Sequence, residues 1–213
     1  EIFGKFDLCM PQNNETRKYL KVLGTSKILN AGNLKFSHTK IKINNQLKKK
    51  QIKFLNSRKI LFCAVSTHAD EELFCGKLYL NLLKKIKKSI IIIIPRHVDR
   101  VEKIKFQLEK INLKVHLHSS KSTIKPSTQI YLVDTFGETE LFLKKSKIAF
   151  MGGSLIPHGG QNPLEPSRLG CKIIHGPNTQ NFKEIYELLN KLKIAYKIRN
   201  LEDSKKIIFN EAN

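Results

Sequence analysis

The densest chemistry in the sequence lies between Met151 and Pro166, read as Met-Gly-Gly-Ser-Leu-Ile-Pro-His-Gly-Gly-Gln-Asn-Pro-Leu-Glu-Pro. Its glycines, Gly152, Gly153, Gly159 and Gly160, let backbone N–H groups come close to a ligand. Pro163 suits the first position of a helix, and the free amides and partial positive charge of a helix start suit a phosphate. Glu165 would stand in that first turn. A carboxylate is a poor neighbour for phosphate, so Glu165 is assigned to the hydroxyls of a ribose. A glycine- and proline-rich turn that only opens a helix has the same spacing, and the sequence leaves both readings open.

Four shorter segments share the pattern of polar or glycine residues directly after an apolar run. In Pro95-Arg96-His97 the arginine is able to clamp a phosphate or carboxylate with two parallel hydrogen bonds. In Asp134-Thr135-Phe136-Gly137-Glu138 the glycine and the helix start beyond it offer backbone contacts to a base or phosphate, and the same residues also spell an N-cap with an acidic first turn. Ser66, Thr67 and His68, ahead of Asp70-Glu71-Glu72, are placed to hydrogen-bond a ligand, with turn and capping roles as the alternative. Gly32-Asn33-Leu34-Lys35-Phe36 supplies a lysine able to neutralise charge developing on a leaving phosphate.

The elements that must position these residues alternate. Expected strands are Ile60–Val65, Ile90–Ile94, Lys114–His118, Gln129–Val133, Ile148–Met151, Lys172–His175 and Ala195–Ile198. Expected helices are Asp70–Lys88, Asp99–Ile111, Glu138–Lys145, Pro163–Leu169, Thr179–Lys191 and Leu201–Asn210. Strands apolar on both faces and separated by helices make a parallel sheet covered on both sides, an α/β fold of the Rossmann kind. Ligands bind such sheets at the carboxyl ends of the strands, which is where these segments fall. Ahead of this, residues 1–36 read as a βαβ-like piece: strand Phe6–Met10, helix Asn14–Leu23, strand Lys27–Asn30. Residues 37–58, rich in Lys and Asn, read as a connector with an amphipathic helix.

With 40% hydrophobic residues in 213, the chain is able to build a packed core. Its 39 basic against 18 acidic residues give a net charge of +21, which attracts polyanions: nucleic acid, phosphorylated lipid or an anionic membrane face. The lysines are spread along the chain beside abundant Ile and Asn, so compositional drift accounts for the larger part of the excess. Cys9, Cys63, Cys75 and Cys171 form no C-x-x-C pair and match no zinc spacing, so neither a metal nor a cofactor is expected, and reduced thiols in a cytoplasmic setting are. No apolar run approaches the roughly 20 residues of a membrane span. No leader pattern stands at the N-terminus, and the opening Glu1-Ile2-Phe3-Gly4, without Met, reads as a cut through a longer protein.

In series, these segments resemble the Kdo (3-deoxy-D-manno-octulosonic acid) transferases of lipopolysaccharide biosynthesis, glycosyltransferases of the two-domain GT-B fold. The resemblance is carried by Phe6-Asp7-Leu8-Cys9, Gly32 to Phe36, Ser66-Thr67-His68 with Glu71-Glu72, Pro95-Arg96-His97, Asp134-Thr135 with Gly137-Glu138, Gly152 to Pro166, Gly176-Pro177 and Asn181-Phe182. Where the family usually has Gly, Pro, Met and His, this chain has Asp70, Val98, Phe136 and Gln161.

The resemblance implies a donor-binding domain over 59–213, a connector over 37–58, and the last βαβ unit of the N-terminal acceptor domain over 1–36. It implies that Pro95, Arg96, Phe136, Gly137, Glu138, Asn162, Pro163, Leu164 and Glu165 hold the cytidine nucleotide of CMP-Kdo. Ser66, Thr67, His68, Gly153, Ser154 and His158 are further donor contacts, and Lys35 stabilises the transition state. A sugar hydroxyl of the lipid A precursor, lipid IVA, attacks the anomeric carbon of Kdo and CMP leaves with inversion. The general base, a Glu of the N-terminal half, has no counterpart here, so the chain alone is expected to be inactive. The setting implied is the cytoplasmic face of the inner membrane, reached through the other half, and no nucleic-acid partner is expected. The alternatives are a basic nucleic-acid-binding protein, and a GT-B relative that uses another nucleotide sugar.

Overall fold

The structure, a computed structural model, describes residues 2–12, 14–29 and 46–212. The chain divides into two compact units, Glu1–Lys42 and Ile43–Asn213.

The first unit holds a 3-10 helix, Phe3–Lys5, and the helix α1, Asn14–Val22. The strands expected over Phe6–Met10 and Lys27–Asn30 shrink to one parallel bridge between Cys9 and Ile28. Its hydrogen bonds run from Cys9 N–H to the Lys27 carbonyl (2.9 Å) and from Leu29 N–H to the Cys9 carbonyl (3.0 Å). Among the described residues of this unit α1 buries none of its side chains, and a pair of short strands without a packed apolar face does not make a stable sheet. Lys35 and the rest of Gly32–Phe36 lie outside the described residues.

The second unit is a seven-stranded parallel sheet in the order β3-β4-β2-β1-β5-β6-β7. The strands are β1 (Lys59–Thr67), β2 (Ser89–Pro95), β3 (Val115–Leu117), β4 (Ile130–Leu132), β5 (Ile148–Met151), β6 (Lys172–His175) and β7 (Ala195–Lys197). The all-isoleucine stretch of β2 shows why the sheet is covered twice. Ile91 and Ile93 join one core while Ile90, Ile92 and Ile94 join the other, as the two-residue period of a strand requires. On the first face pack α3 (Glu71–Leu83), α4 (Val101–Lys110) and α8 (Leu201–Ala212), contributing Leu78, Leu82, Ile104, Leu108 and Ile208. On the second pack α2 (Lys49–Asn56), α5 (Thr139–Leu143), α6 (Leu164–Arg168) and α7 (Lys183–Lys191), contributing Leu55, Phe142, Leu164, Ile185 and Leu189. The amphipathic helix expected in the connector is α2, and it lies within the second unit.

Two helices are shorter than their periodicity suggests. α3 stops at Leu83, five residues before Lys88, which takes a left-handed φ of 55° as the chain turns into β2. The lysines at 84, 85, 87 and 88 repel one another there, and Ser89 Oγ bonds the Ile86 carbonyl (2.8 Å) to fix the turn. Thr179–Lys191 splits into a 3-10 turn, Gln180–Phe182, followed by α7.

Strand order places the switch between β1 and β5. From β1 the chain proceeds to β2 on one side, and only at β5 does it cross to the other. The crevice that opens beyond the carboxyl ends of β1 and β5 is the position at which such sheets bind ligands.

Candidate functional site

Five loops leave the carboxyl edge of the sheet beside this crevice: those after β1, β2, β4, β5 and β6. Two of them approach so closely that only glycine fits. A Cβ on Gly152 would stand 2.1 Å from the Ser66 carbonyl oxygen, and one on Gly176 would stand 2.2 Å from that of Ser154. These glycines therefore serve contact between loops. Ser66 and Asp70, neither a glycine, hold left-handed φ values of 53° and 73° at the end of β1. Strain of this kind gathers where the surrounding structure over-determines a functional loop.

The loops are held by two glutamates that local sequence rules assign to an ordinary acidic first turn. Glu71, 1% exposed, accepts four backbone hydrogen bonds: from His68 (3.0 Å) and Gly153 (2.7 Å) at Oε2, and from Ser154 and Leu155 (3.0 Å each) at Oε1. Glu72, equally buried, pairs with Arg100 through two parallel bonds of 3.2 and 3.3 Å. Burial raises the Glu72 pKa, and the Arg100 guanidinium opposes that rise. One glutamate thus fixes the loop after β5 and the other the turn after β2.

Around this frame three imidazoles converge. The His68 ring lies 4.2 Å from that of His158 and 5.7 Å from that of His97, centroid to centroid, and Gln161 Nε2 is 3.3 Å from His68 Nε2. Burial first, then the charge of His158, His97, Arg100 and Arg96, pulls the His68 pKa down to about 4. At neutral pH His68 is therefore an uncharged donor–acceptor in an electropositive surround. Among the described residues no His, Cys, Asp and Glu side chains group as metal ligands would.

The expected nucleotide residues sit on this same edge. Arg96 is exposed directly after β2, its N–H bonded to the Thr67 carbonyl (2.9 Å). Phe136 is 71% exposed beside Gly137, whose φ is 80°. Glu138 is half-buried, with its carboxylate held by the Thr135 hydroxyl and by His118 Nε2 (3.2 Å). Asn162 Oδ1 accepts the Leu164 N–H (3.1 Å), so its amide NH2 is what the side chain has left for a ligand. Pro95, Pro163 and Leu164 are buried and form walls, while Glu165 is exposed in the first turn of α6. With only five residues, α6 offers local amides and little dipole.

Three of the expected donor contacts are corrected. The Thr67 and Ser154 side chains are fully buried. Ser154 Oγ donates to the Met151 carbonyl and accepts the Gly176 N–H (2.8 Å), which ties the β5 and β6 loops together. The Gly153 amide is taken by Glu71. Ser66, His68 and His158 remain at the crevice. Sequence reasoning placed Glu71 and Glu72 among the residues that carry the resemblance but gave them no role, and it did not single out Arg100. The available signal was α3 itself: at helical spacing Glu71 and Glu72 share the side that buries Cys75, Leu78, Tyr79 and Leu82, while the exposed Lys77 lies on the other.

A cleft of about 500 Å³ lies elsewhere, between α4 and the edge strand β3, lined by Lys105, Glu109, Lys114, His116, Ser122 and Lys125 among others. It shares no residue with the carboxyl-edge crevice.

No protein-family model matches the chain. A 3-deoxy-D-manno-octulosonic acid transferase of Rickettsia felis is 32% identical over 202 residues, covering 95% of this chain and 43% of the relative. A bifunctional glycosyltransferase/methyltransferase of Fusobacterium nucleatum is 37% identical over 186 residues, covering 85% of this chain and 28% of the relative. The solved C-terminal CMP-Kdo binding domain of WaaA from Acinetobacter baumannii superposes with a TM-score of 0.69 at 31% identity, covering 75% of this chain and 83% of that domain. The chain belongs to the Kdo transferase family. It spans less than half the length of the two full-length relatives, and its second unit has the fold of the family's C-terminal domain. In this Kdo transferase-family chain, the residues that carried the resemblance fall on the loops of the carboxyl edge and on the helix starts that follow them, apart from the segments before residue 37. No helix among the described residues is long and apolar enough to cross a membrane.

Proposed function

We propose that this chain is the donor-binding half of a Kdo transferase, holding CMP-Kdo across the carboxyl edge while Kdo passes to a lipid A precursor. The observation that carries this reading is the likeness, in sequence and fold together, to a domain described as binding CMP-Kdo. The nucleotide lies against Phe136, Gly137 and Glu138 on one side and Asn162–Glu165 on the other, with Arg96 between them on the phosphate. Exposed Phe136 offers a flat apolar face for the cytosine ring. Arg96 meets the charge that develops as CMP departs. The acceptor hydroxyl of lipid IVA needs a base. That base is a Glu of an N-terminal half, to which residues 1–36 belong, with the connector running over 37–58. The apolar residues that the first unit leaves exposed, Tyr19 and Val22 on α1 among them, suit such a role. The net charge of +21 suits work at the anionic cytoplasmic face of the inner membrane.

Calorimetric titration at moderate salt with CMP, UDP and a single-stranded oligonucleotide tests the donor reading. CMP binds, and at 100 times its Kd raises stability by about 2.7 kcal/mol. UDP in its place would indicate another nucleotide sugar, and no nucleotide binding at all would end the reading. Transfer is tested by adding a separately expressed N-terminal half of a relative, with activity expected only from the mixture.

A second reading, a nucleic-acid-binding protein, is favoured by the overall charge and by Lys105, Lys114 and Lys125 around the cleft beside β3. Oligonucleotide binding that falls steeply with salt and weakens when those three lysines are replaced would support it.

A further inference from the structure

Successive backbone N–H groups in a tight turn form a concavity that elsewhere binds phosphate. Gly153, Ser154 and Leu155 form one here, and a carboxylate of the protein already fills it. The two Glu71 oxygens accept four N–H bonds, which uses the four acceptor positions a carboxylate has. The fourth donor is His68 N–H, on a different loop. One buried anion therefore grips both sides of the crevice: the backbone that carries His68, and the start of the segment that carries His158 and Gln161. Those are the side chains found at 4.2 Å (ring to ring) and 3.3 Å from His68. Burying a carboxylate is costly, and a well-packed apolar residue would hold two loops together as well. What the carboxylate adds is direction, because it sets the orientation of four amides.

We propose that Glu71 is a positioning residue of the donor site, an internal anion that occupies the Gly153–Leu155 nest and so sets His68, His158 and Gln161 in one arrangement before ligand arrives. This rests on the donor-binding reading above. It follows that the donor phosphate is met outside the nest, on the side of Arg96.

The test uses the full chain with Glu71→Gln and Glu71→Ala. E71Q keeps the shape but turns an NH2 group toward amide donors. It should lose CMP affinity by roughly tenfold or more, the scale of one charged hydrogen bond. It should also shift the His68 imidazole resonances in an NMR titration, since the ring loses its fixed surround. E71A vacates the nest. Added formate should raise its thermal midpoint, restore the His68 resonances and restore CMP affinity, while chloride at equal ionic strength does none of these. Unchanged CMP affinity and unchanged His68 resonances in folded E71Q would overturn the proposal. So would formate that raises the E71A midpoint without restoring affinity or resonances, since Glu71 would then be structural alone. Should E71A not fold, E71Q decides. If the unaltered chain binds no CMP, the donor-site reading has failed, and the His68 resonances with and without formate still decide whether Glu71 positions that ring.

Discussion

The loops after β5 and after β4 leave the same edge of the sheet, and each is held by a glutamate, yet by opposite means. The β5 loop is held from outside itself. Glu71 lies 82 residues from Gly153 and touches the loop only through backbone amides. The β4 loop is held by its own side chains. Glu138 reaches Thr135 and His118, Asp134 reaches the Ser119 N–H (2.8 Å), and His118 Nδ1 lies 2.9 Å from the Tyr131 hydroxyl and 3.3 Å from Gln51 Nε2. Amides cannot change sequence or protonation state, so the first arrangement is fixed wherever Glu71 is present. The second depends on one imidazole that donates to Glu138 at Nε2 and accepts at Nδ1. A rigid loop with charged neighbours suits a phosphate or sugar carboxylate. A loop that presents an exposed phenylalanine and a glycine suits a flat base, which tolerates small shifts.

The largest effect should come from alanine at the tight crossing. Gly152→Ala drives a methyl group into the backbone of Ser66 and Thr67, with every near atom within 2.6 Å. That strand register cannot move without parting β1 from β5. Destabilisation of about 3 kcal/mol or more is expected, seen as a large fall in thermal midpoint or as loss of soluble protein. Gly137→Ala in the β4 loop has nothing within 4 Å and meets only the cost of its left-handed φ, about 1 kcal/mol. If the two variants were equally destabilised, the distinction between a fixed and a tolerant loop would fail.

His118→Ala strikes the other loop. It leaves the Glu138 carboxylate and the buried Tyr131 hydroxyl each short of a partner, for about 1–3 kcal/mol. CMP affinity should fall, while hydrogen exchange at Gly153–Leu155 stays as slow as before. Faster exchange at those amides would show that the two loops are not held independently.

Acid sharpens the same contrast. His68 beside the β5 loop titrates near 4 when folded, and burial also lowers His116 and His175 from the ordinary value of about 6.5. Between those limits the unfolded chain binds more protons than the folded one, so stability is full above about pH 6.5 and is lost as pH falls toward 4. A proton on His68 would face His158, His97, Arg100 and Arg96. The thermal midpoint should drop across that window, and His68→Gln should flatten part of the slope. A midpoint flat from pH 7 to 4.5 would contradict the buried, cation-surrounded placement of these rings.

How much of this was legible beforehand follows from the range of the interactions. β5 and β6 match their expected spans residue for residue, because apolar runs bounded by glycine and charge are local signals. The parallel, doubly covered sheet followed from apolar runs alternating with helices, and the loop positions followed from the strand ends. Phe6–Met10, expected as a strand, keeps only the bridge at Cys9, because an apolar run makes a strand only where it packs against a core. Glu71 and Glu72 were hidden more deeply. Acids in a first turn satisfy a local rule completely, and nothing in their spacing points to partners in the turn after β2 or in the loop after β5. Glycines 152 and 153 were noticed for the right property, close approach of backbone, but the approaching group is the protein itself.

The smallest effect tests whether that frame carries strain. Asp70 takes a φ of 73° just ahead of α3, beside the residue whose carboxylate fills the nest, at a position where the Kdo transferases usually have glycine. Its side chain makes no capping bond to the helix, so nothing local offsets the left-handed backbone. Asp70→Gly removes a penalty of about 1 kcal/mol in the folded state and returns part of it as extra freedom of the unfolded chain. A net gain of a few tenths of a kcal/mol is expected, with CMP affinity unchanged at moderate and high salt. Aspartate also puts a negative charge at the mouth of a crevice lined by Arg96, His97 and His158, where its removal should strengthen the attraction for an anionic donor only at low salt. A gain in affinity that persisted at high salt would instead show that Asp70 distorts the loop that Glu71 holds, and that the β5 side of the crevice is less rigid than its four amide bonds suggest.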